Sequence, residues 1–210
     1  RKIEKVSEVI KDLKEGIYFI KVHRGLLVLM TFALTVNFLC NPIFAVLLPY
    51  VSRVVIKFSS EQFGMLEASF LIGILIGNII IGTLLAKGKV EKMLNRGLIA
   101  QMCFTFVFVA LIFPQIIEKL GYASWIMFFA LSATFILMGL SNAFINTPIQ
   151  VELQKIVPTE FRSRVFSVLE VMGQGIVPIG FGIMGILLDL VPAHIIALTV
   201  VTILLLVILV

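Results

Sequence analysis

Four asparagine side chains stand out in otherwise apolar stretches of this sequence. Asn37 and Asn41 lie four positions apart, as do Asn142 and Asn146, and this spacing places each pair on one face of a helix. Amides in an apolar segment either bond to a neighbouring helix, for about 1 kcal/mol each, or line a polar cavity. Pro42 favours the cavity, because the carbonyl that proline frees needs protein or water as its partner. Both interpretations stay open.

Two carboxylates, Glu67 and Glu170, lie well inside apolar stretches. Ionisable residues within a membrane are costly and mark functional sites, so each is a candidate for proton coupling. For Glu170 the sequence favours a local ion pair instead, because Arg164 lies about 9 Å of helix rise away. Glu67 lies near one end of its stretch, where its side chain can reach water.

The composition identifies the solvent of this chain as lipid. Hydrophobic residues make up 60% of the 210 residues, charged residues 14%, and the mean hydropathy is +1.13, whereas soluble domains are about 45–50% apolar. The net charge of +5 comes from Lys and Arg in short connections, so we expect no nucleic-acid partner. The apolar stretches hold no Ser/His/Asp set and no cluster of metal ligands, so we expect no enzyme, no catalytic residue, no metal and no cofactor.

Six apolar stretches have the length of about 20 residues that a helix needs to cross a hydrocarbon core about 30 Å thick. The sequence therefore predicts an all-α membrane protein, with a six-helix transmembrane domain over 26–210. The predicted spans are 26–50, 62–86, 97–118, 124–147, 165–190 and 193–210.

Residues 1–25 form a separate predicted element. Ile10, Leu13, Ile17 and Ile20 recur at steps of three and four among charged residues, which predicts an amphipathic helix along the membrane surface or another part of the protein. A solvated linker helix is the alternative.

The basic residues predict the orientation. The segments 1–25, 87–96 and 148–164 hold seven, four and three of the 17 Lys and Arg, so the positive-inside rule places these segments and both chain ends in the cytoplasm.

Glycine follows a pattern of its own. Gly73 and Gly77 lie four apart in the second span, and Gly175 and Gly182 belong to a glycine-rich run in the fifth. Small residues allow close helix contact, so we expect all four to face neighbouring helices.

Three stretches resemble signatures of the major facilitator superfamily. The residues from Gly82 to Lys87, with Lys89 after them, resemble the Gly-x-Leu-x-Asp-basic loop between the eighth and ninth helices, with Ala86 in the place of Asp. The segment Pro158 to Ser167 resembles the Pro-x-x-x-Arg-Gly-Arg-x-x-Ser loop before the eleventh helix, with Ser163 replacing Gly. The run Gly173 to Gly185 resembles the Gly/Pro-rich helix of drug antiporters.

The resemblance implies the C-terminal half of a twelve-helix transporter, in which the N-terminal half of the same protein is the partner. We accordingly expect the chain, which starts at Arg1 and ends in an apolar run, to be part of something longer. In this family the first and fourth helices of each half line the cavity, and these two spans carry the asparagine pairs. The asparagines are thus implied to bind substrate, and the gating loops to include Gly82, Lys87, Lys89, Arg162 and Arg164.

The nearest resemblance is to bacterial multidrug and macrolide exporters. It implies secondary active transport by alternating access, with proton-coupled efflux of a small amphipathic molecule across the plasma membrane, here a bacterial inner membrane. A membrane-embedded interaction or sensor protein that uses the same scaffold without transport is the alternative function.

Overall fold

The computed structural model describes residues 13–84 and 90–209. Within these ranges the regular structure is helical and contains no strand, so the predicted all-α membrane fold is confirmed. The predicted amphipathic segment 1–25 is described from residue 13 onward, and it divides at His23 into two helices. The helices are α1 (13–22), α2 (Arg24–Val55), α3 (Ser60–Leu84), α4 (Val90–Leu111), α5 (Pro114–Leu120), α6 (Trp125–Ile156), α7 (Thr159–Leu190) and α8 (Ala193–Leu209).

Five of these helices, α2, α3, α4, α6 and α7, are long and apolar enough to cross a membrane. The sixth predicted span corresponds to α8, which is strongly apolar but has 17 residues up to Leu209. The helices occupy the six apolar stretches because a backbone in lipid must satisfy its own polar groups, and a helix does so within one segment.

Several helix ends differ from the predicted ends. The helix α6 runs through Pro148 to Ile156, and α7 already begins at Thr159, so the predicted connection 148–164 shortens to two residues. Each of these helices has 32 residues, about 48 Å at 1.5 Å per residue, which exceeds a core of about 30 Å. The extra turns project into water, where charged residues carry little free-energy cost. A search for apolar stretches therefore does not detect these turns.

The third predicted span is interrupted rather than continuous. The helix α4 ends at Leu111, and the short α5 begins at Pro114. Phe113, directly before this proline, is extended with φ −67° and ψ 138°. A proline disfavours helical backbone in the residue before it and suits the first position of a new helix.

The helix α2 continues across its two prolines with altered hydrogen bonding. Ile43–Leu47, directly after Pro42, and Val51–Val55, shortly after Pro49, are π-helical turns. Proline lacks the N–H that an α-helical bond needs, and a π-helical turn accommodates such a defect by widening the helix. The helix α2 is therefore continuous through Pro42 and locally widened after it.

The helices α3 and α6 touch at the level of their backbones. A Cβ atom added to Gly73 would overlap the Ile136 carbonyl oxygen, and one added to Gly77 would lie 2.7 Å from the Cβ of Ala143. The prediction that these two glycines face a neighbouring helix is confirmed. For Gly175 and Gly182 it is wrong within the described residues, since an added Cβ meets no atom within 4 Å there.

A second helix pair is formed by α2 and α7. A Cβ atom added to Gly180 of α7 would lie 2.8 Å from Pro42 Cγ and 3.3 Å from the carbonyl oxygen of Phe38. Phe38 is four residues before Pro42, so this is the carbonyl that the proline leaves without an intrahelical donor. The freed carbonyl therefore lies close to α7 at Gly180.

Two apolar clusters join the helix pairs, one toward each end of the bundle. In the larger cluster the Phe44 ring of α2 lies 5.0 Å from the Phe70 ring of α3 and 6.2 Å from the Phe135 ring of α6. The smaller cluster combines Met30 of α2 and Leu153 of α6 with Ile20 of α1 and the first turns of α7. The middle parts of α2 and α6 lie between these two clusters.

Candidate functional site

The middle of α2 carries the first asparagine pair. The Asn37 side chain is exposed, and its Nδ2 donates to the carbonyl oxygen of Ala33 at 2.8 Å. Asn41 is half-buried, and its Nδ2 donates to Asn37 Oδ1 at 3.3 Å. Both bonds stay within α2, so this face of the helix keeps polar groups at its surface.

The second pair has the same arrangement on α6. Asn146 is exposed, and its Nδ2 donates to Asn142 Oδ1 at 2.9 Å and to the Asn142 carbonyl oxygen at 3.2 Å. Asn142 is half-buried. Each pair therefore forms a short polar ladder along one helix, as the spacing of four residues dictates.

The two pairs lie at corresponding levels between the apolar clusters. Asn37 and Asn41 lie between Met30 and Phe44 along α2, and the α6 pair lies between Phe135 and Leu153. From residue 31 to residue 41 every residue of α2 is at least partly exposed. This stretch of α2 is loosely covered by the described residues and can face a water-filled or ligand-filled space.

A hydrogen bond between two spans is made by a different asparagine. The Thr147 hydroxyl of α6 donates to Asn78 Oδ1 of α3 at 2.7 Å. Asn78 was not among the predicted site residues, although an amide inside an apolar span is itself a sign of a functional or packing role. Asn78 thus takes part in an interhelical hydrogen bond, whereas the side-chain hydrogen bonds of the four predicted asparagines within the described residues run along their own helices.

The two candidate carboxylates lie on separate helices. Glu67 on α3 and Glu170 on α7 are both exposed, and neither has a hydrogen-bond or ion-pair partner among the described residues. The ion pair that the sequence favoured for Glu170 is not formed. Arg164 Nη1 instead lies 2.6 Å from Glu15 Oε2 of α1, so α1 and not the adjacent turn of α7 supplies its carboxylate.

The arginines of the predicted gating loop tie helix ends together. Arg162 Nη2 donates to the Gln154 carbonyl oxygen at 2.6 Å, one of the last four carbonyls of α6, which lack an intrahelical donor. A cation at this end also complements the helix dipole. Arg164 links α7 to α1 through Glu15.

The other predicted gating loop is only partly described. Gly82 lies near the end of α3, and a Cβ atom added there would meet no atom of the described residues within 4 Å. Lys87 and Lys89, like Ala86, lie outside the described residues.

Comparison with known families adds one finding to this geometry. The sequence model described as Major Facilitator Superfamily matches residues 11–210 of the chain. No curated protein and no solved structure gives a match. The match covers the entire helical bundle, including both asparagine pairs.

Proposed function

Because this chain belongs to the major facilitator superfamily, whose members are membrane transporters, we propose that it moves a small molecule by alternating access. It acts as the C-terminal six-helix half of a twelve-helix protein, and the N-terminal half completes the cavity. Two halves rocking around a midplane site expose that site to each side of the membrane in turn.

The polar ladders on α2 and α6 carry this proposal. Asn37 and Asn146 are exposed within apolar spans, and the amides of each pair bond along their own helix. Amides that face hydrocarbon in this way would be costly, which argues for water or a ligand beside them. An amide both donates and accepts hydrogen bonds, so it suits an amphipathic substrate with an oxygen or amine group on an apolar body.

We further propose that transport is coupled to protons, with Glu170 and Glu67 as candidate proton carriers. Both carboxylates are exposed on the bundle and unpaired among the described residues. A carboxylate in lipid is unfavourable, so each is expected to face the partner half or a water-filled path. Release of a proton down its gradient would then drive efflux of the substrate.

The test is transport by the full-length protein in vesicles with an imposed pH gradient. We expect flux of an amphipathic dye to follow the gradient, and Glu170→Gln to abolish the dependence on pH while exchange without a gradient persists. Glu160→Gln is the matched control, because Glu160 is exposed in the first turn of the same helix and should leave coupling unchanged.

Two results would contradict the proposal at different levels. If flux through the unsubstituted protein does not depend on the pH gradient, proton coupling is rejected, but the proposed transport function is retained. Absence of flux for a panel of amphipathic compounds, in protein that remains folded, favours the interaction or sensor function instead.

A further inference from the structure

The helix α1 presents two contrasting faces. Its inner face is fixed to α7, since a Cβ added to Gly16 would lie 2.9 Å from the Arg164 carbonyl oxygen and 2.9 Å from Val168 Cγ2. Ile20 is 5% exposed, and the Phe19 ring stacks on the Phe161 ring at 4.8 Å and 16°. The opposite side of α1 is exposed and makes no contact with the described helices of the bundle.

The outer face of α1 consists of Lys14, Ile17, Tyr18, Lys21 and Val22. These residues follow the i, i+3, i+4, i+7, i+8 spacing of one helix side. The face mixes exposed apolar side chains, with Tyr18 at 72% and Val22 at 61% exposure, with two exposed lysines. Such a combination of aromatic, aliphatic and basic side chains is typical of a helix at the membrane surface.

The charge of this face is uniformly positive. In the described part of α1 the carboxylate is Glu15, and it turns away to pair with Arg164 at 2.6 Å. Lys14 and Lys21 remain on the outer face, and the exposed Arg24 follows at the start of α2. An anionic group approaching this face therefore meets its two lysines, Lys14 and Lys21.

The level of α1 along the bundle matches that of lipid headgroups. It contacts α7 at Arg164 and Val168, within the first ten residues of a 32-residue helix whose length of about 48 Å exceeds a core of about 30 Å. α2 enters the bundle at Arg24, directly after α1. The outer face thus lies near the boundary between hydrocarbon and water.

A groove beside this face provides room for a lipid. It has a volume of about 580 Å³ and is lined by Lys14, Tyr18, Val22, His23 and Phe161, among others, with mainly apolar walls. His23 Nδ1 is engaged by the Phe19 carbonyl oxygen at 2.8 Å, and the His23 ring stacks on the Phe19 ring at 4.1 Å. Phe19 and His23 therefore form a fixed part of the groove wall.

We propose that the outer face of α1 binds an acidic phospholipid of the adjacent leaflet. Lys14 and Lys21 contact the phosphate and the anionic headgroup, and Tyr18 and Val22 contact the glycerol and the upper acyl chain. A lipid bound here holds α1 against the first turns of α7, where the Glu15–Arg164 ion pair also acts. Lipid binding at this face is independent of the transported substrate.

Photocrosslinking in the full-length protein tests the proposal. Tyr18 is replaced by p-benzoylphenylalanine, and the protein is reconstituted in vesicles of equimolar phosphatidylglycerol and phosphatidylcholine. After illumination, mass spectrometry identifies the attached molecule. We expect phosphatidylglycerol adducts to exceed phosphatidylcholine adducts several-fold, and this excess to fall as salt screens the charges.

The substitutions Lys14→Gln and Lys21→Gln together should bring the two lipids to parity. Lys155→Gln is the control, since Lys155 is 61% exposed at the end of α6 and pairs with Glu152, and it should preserve the excess. Equal labelling of both lipids in the unsubstituted protein would overturn headgroup recognition. Attachment to a peptide of the other half or of a second copy would identify the face as a protein interface and overturn the proposal.

Discussion

The Thr147 hydroxyl donates a 2.7 Å hydrogen bond to Asn78 Oδ1, and this bond joins two membrane spans, α6 and α3. It lies one residue beyond Asn146, whose amide bonds back to Asn142 on its own helix. Adjacent positions of α6 thus carry two different kinds of polar side chain. Thr147 bonds to a neighbouring helix, whereas Asn146 is exposed and bonds within its own helix.

The first prediction concerns the packing role of Asn78. Asn78→Ala removes the acceptor of Thr147, so it should lower the free energy of unfolding by about 1 kcal/mol. Asn37→Ala is the control, because Asn37 donates to Ala33 of its own helix and loses no interhelical bond. Thermal unfolding in detergent measures both. A larger loss for Asn37→Ala than for Asn78→Ala would contradict this division of roles.

The second prediction concerns the close contact of α3 with α6. Gly73→Ala and Gly139→Ala each place a methyl group onto the backbone of the facing helix, at Ile136 and Phe70 respectively. The helices must separate, and we expect loss of folded protein at a cost of about 1–3 kcal/mol, as for other overpacked sites. Folded yield after detergent extraction, measured by size-exclusion chromatography, gives the result.

Gly64→Ala is the matched control for these substitutions. Gly64 lies on α3 as Gly73 does, but a Cβ atom added there would meet no atom within 4 Å in the part of the chain that the structure describes. Because alanine has the higher helix propensity, Gly64→Ala should leave the yield unchanged or raise it. Equal yields for Gly64→Ala and Gly73→Ala would show that the backbone contact between α3 and α6 does not determine the yield of folded protein.

The third prediction concerns the side of the membrane on which the basic segments lie. Ser163 is exposed in the first turns of α7, between Arg162 and Arg164, and the positive-inside rule places it in the cytoplasm. A cysteine introduced by Ser163→Cys should react with an impermeant maleimide only after the cells are opened. Tyr122→Cys, at the exposed connection before α6, should react from outside. The reverse pattern would invert the whole topology.

The sequence predicted the number and order of the apolar segments because hydrocarbon thickness sets their length. It did not predict the ends of α6 and α7, since the turns beyond Pro148 and before Val165 are polar yet still helical. Helical backbone hydrogen bonds persist in these turns in water. Hydropathy indicates the solvent that surrounds a residue and not the conformation of its backbone. The hydropathy pattern therefore predicted the spans, but it overestimated the length of the connection between α6 and α7.

Contacts between residues of different helices were harder to predict from the sequence. The asparagine ladders follow from a spacing of four, which is local geometry. The bond of Thr147 to Asn78 spans 69 positions, and Arg164 pairs with Glu15 rather than with the nearby Glu170. Gly175 and Gly182 show a related limit, because a small residue permits a close neighbour without specifying one.

The last prediction concerns the candidate substrate site itself. Asn37→Ala, Asn41→Ala and Asn142→Ala should each change the relative transport of several amphipathic substrates while the thermal stability of the full-length protein stays close to that of the parent. The reason is that the amides of these residues form hydrogen bonds within α2 or within α6. Their removal therefore eliminates contacts with the substrate and leaves the packing between helices unchanged. Asn146→Ala should have the weaker effect, because Asn146 lies nearer the end of α6 that the charge pattern assigns to the cytoplasm.

Transport rates for the panel, each divided by the rate of one reference substrate, provide the measurement. Asn78→Ala serves as the control, since a packing defect should lower all rates by a common factor and reduce the unfolding temperature. If the Asn37 and Asn142 variants instead lose stability and keep the substrate ratios of the parent, these amides join helices in the complete transporter. The binding site then lies on other residues, because a side chain that contacts the substrate must alter the ratio between substrates that differ at that contact.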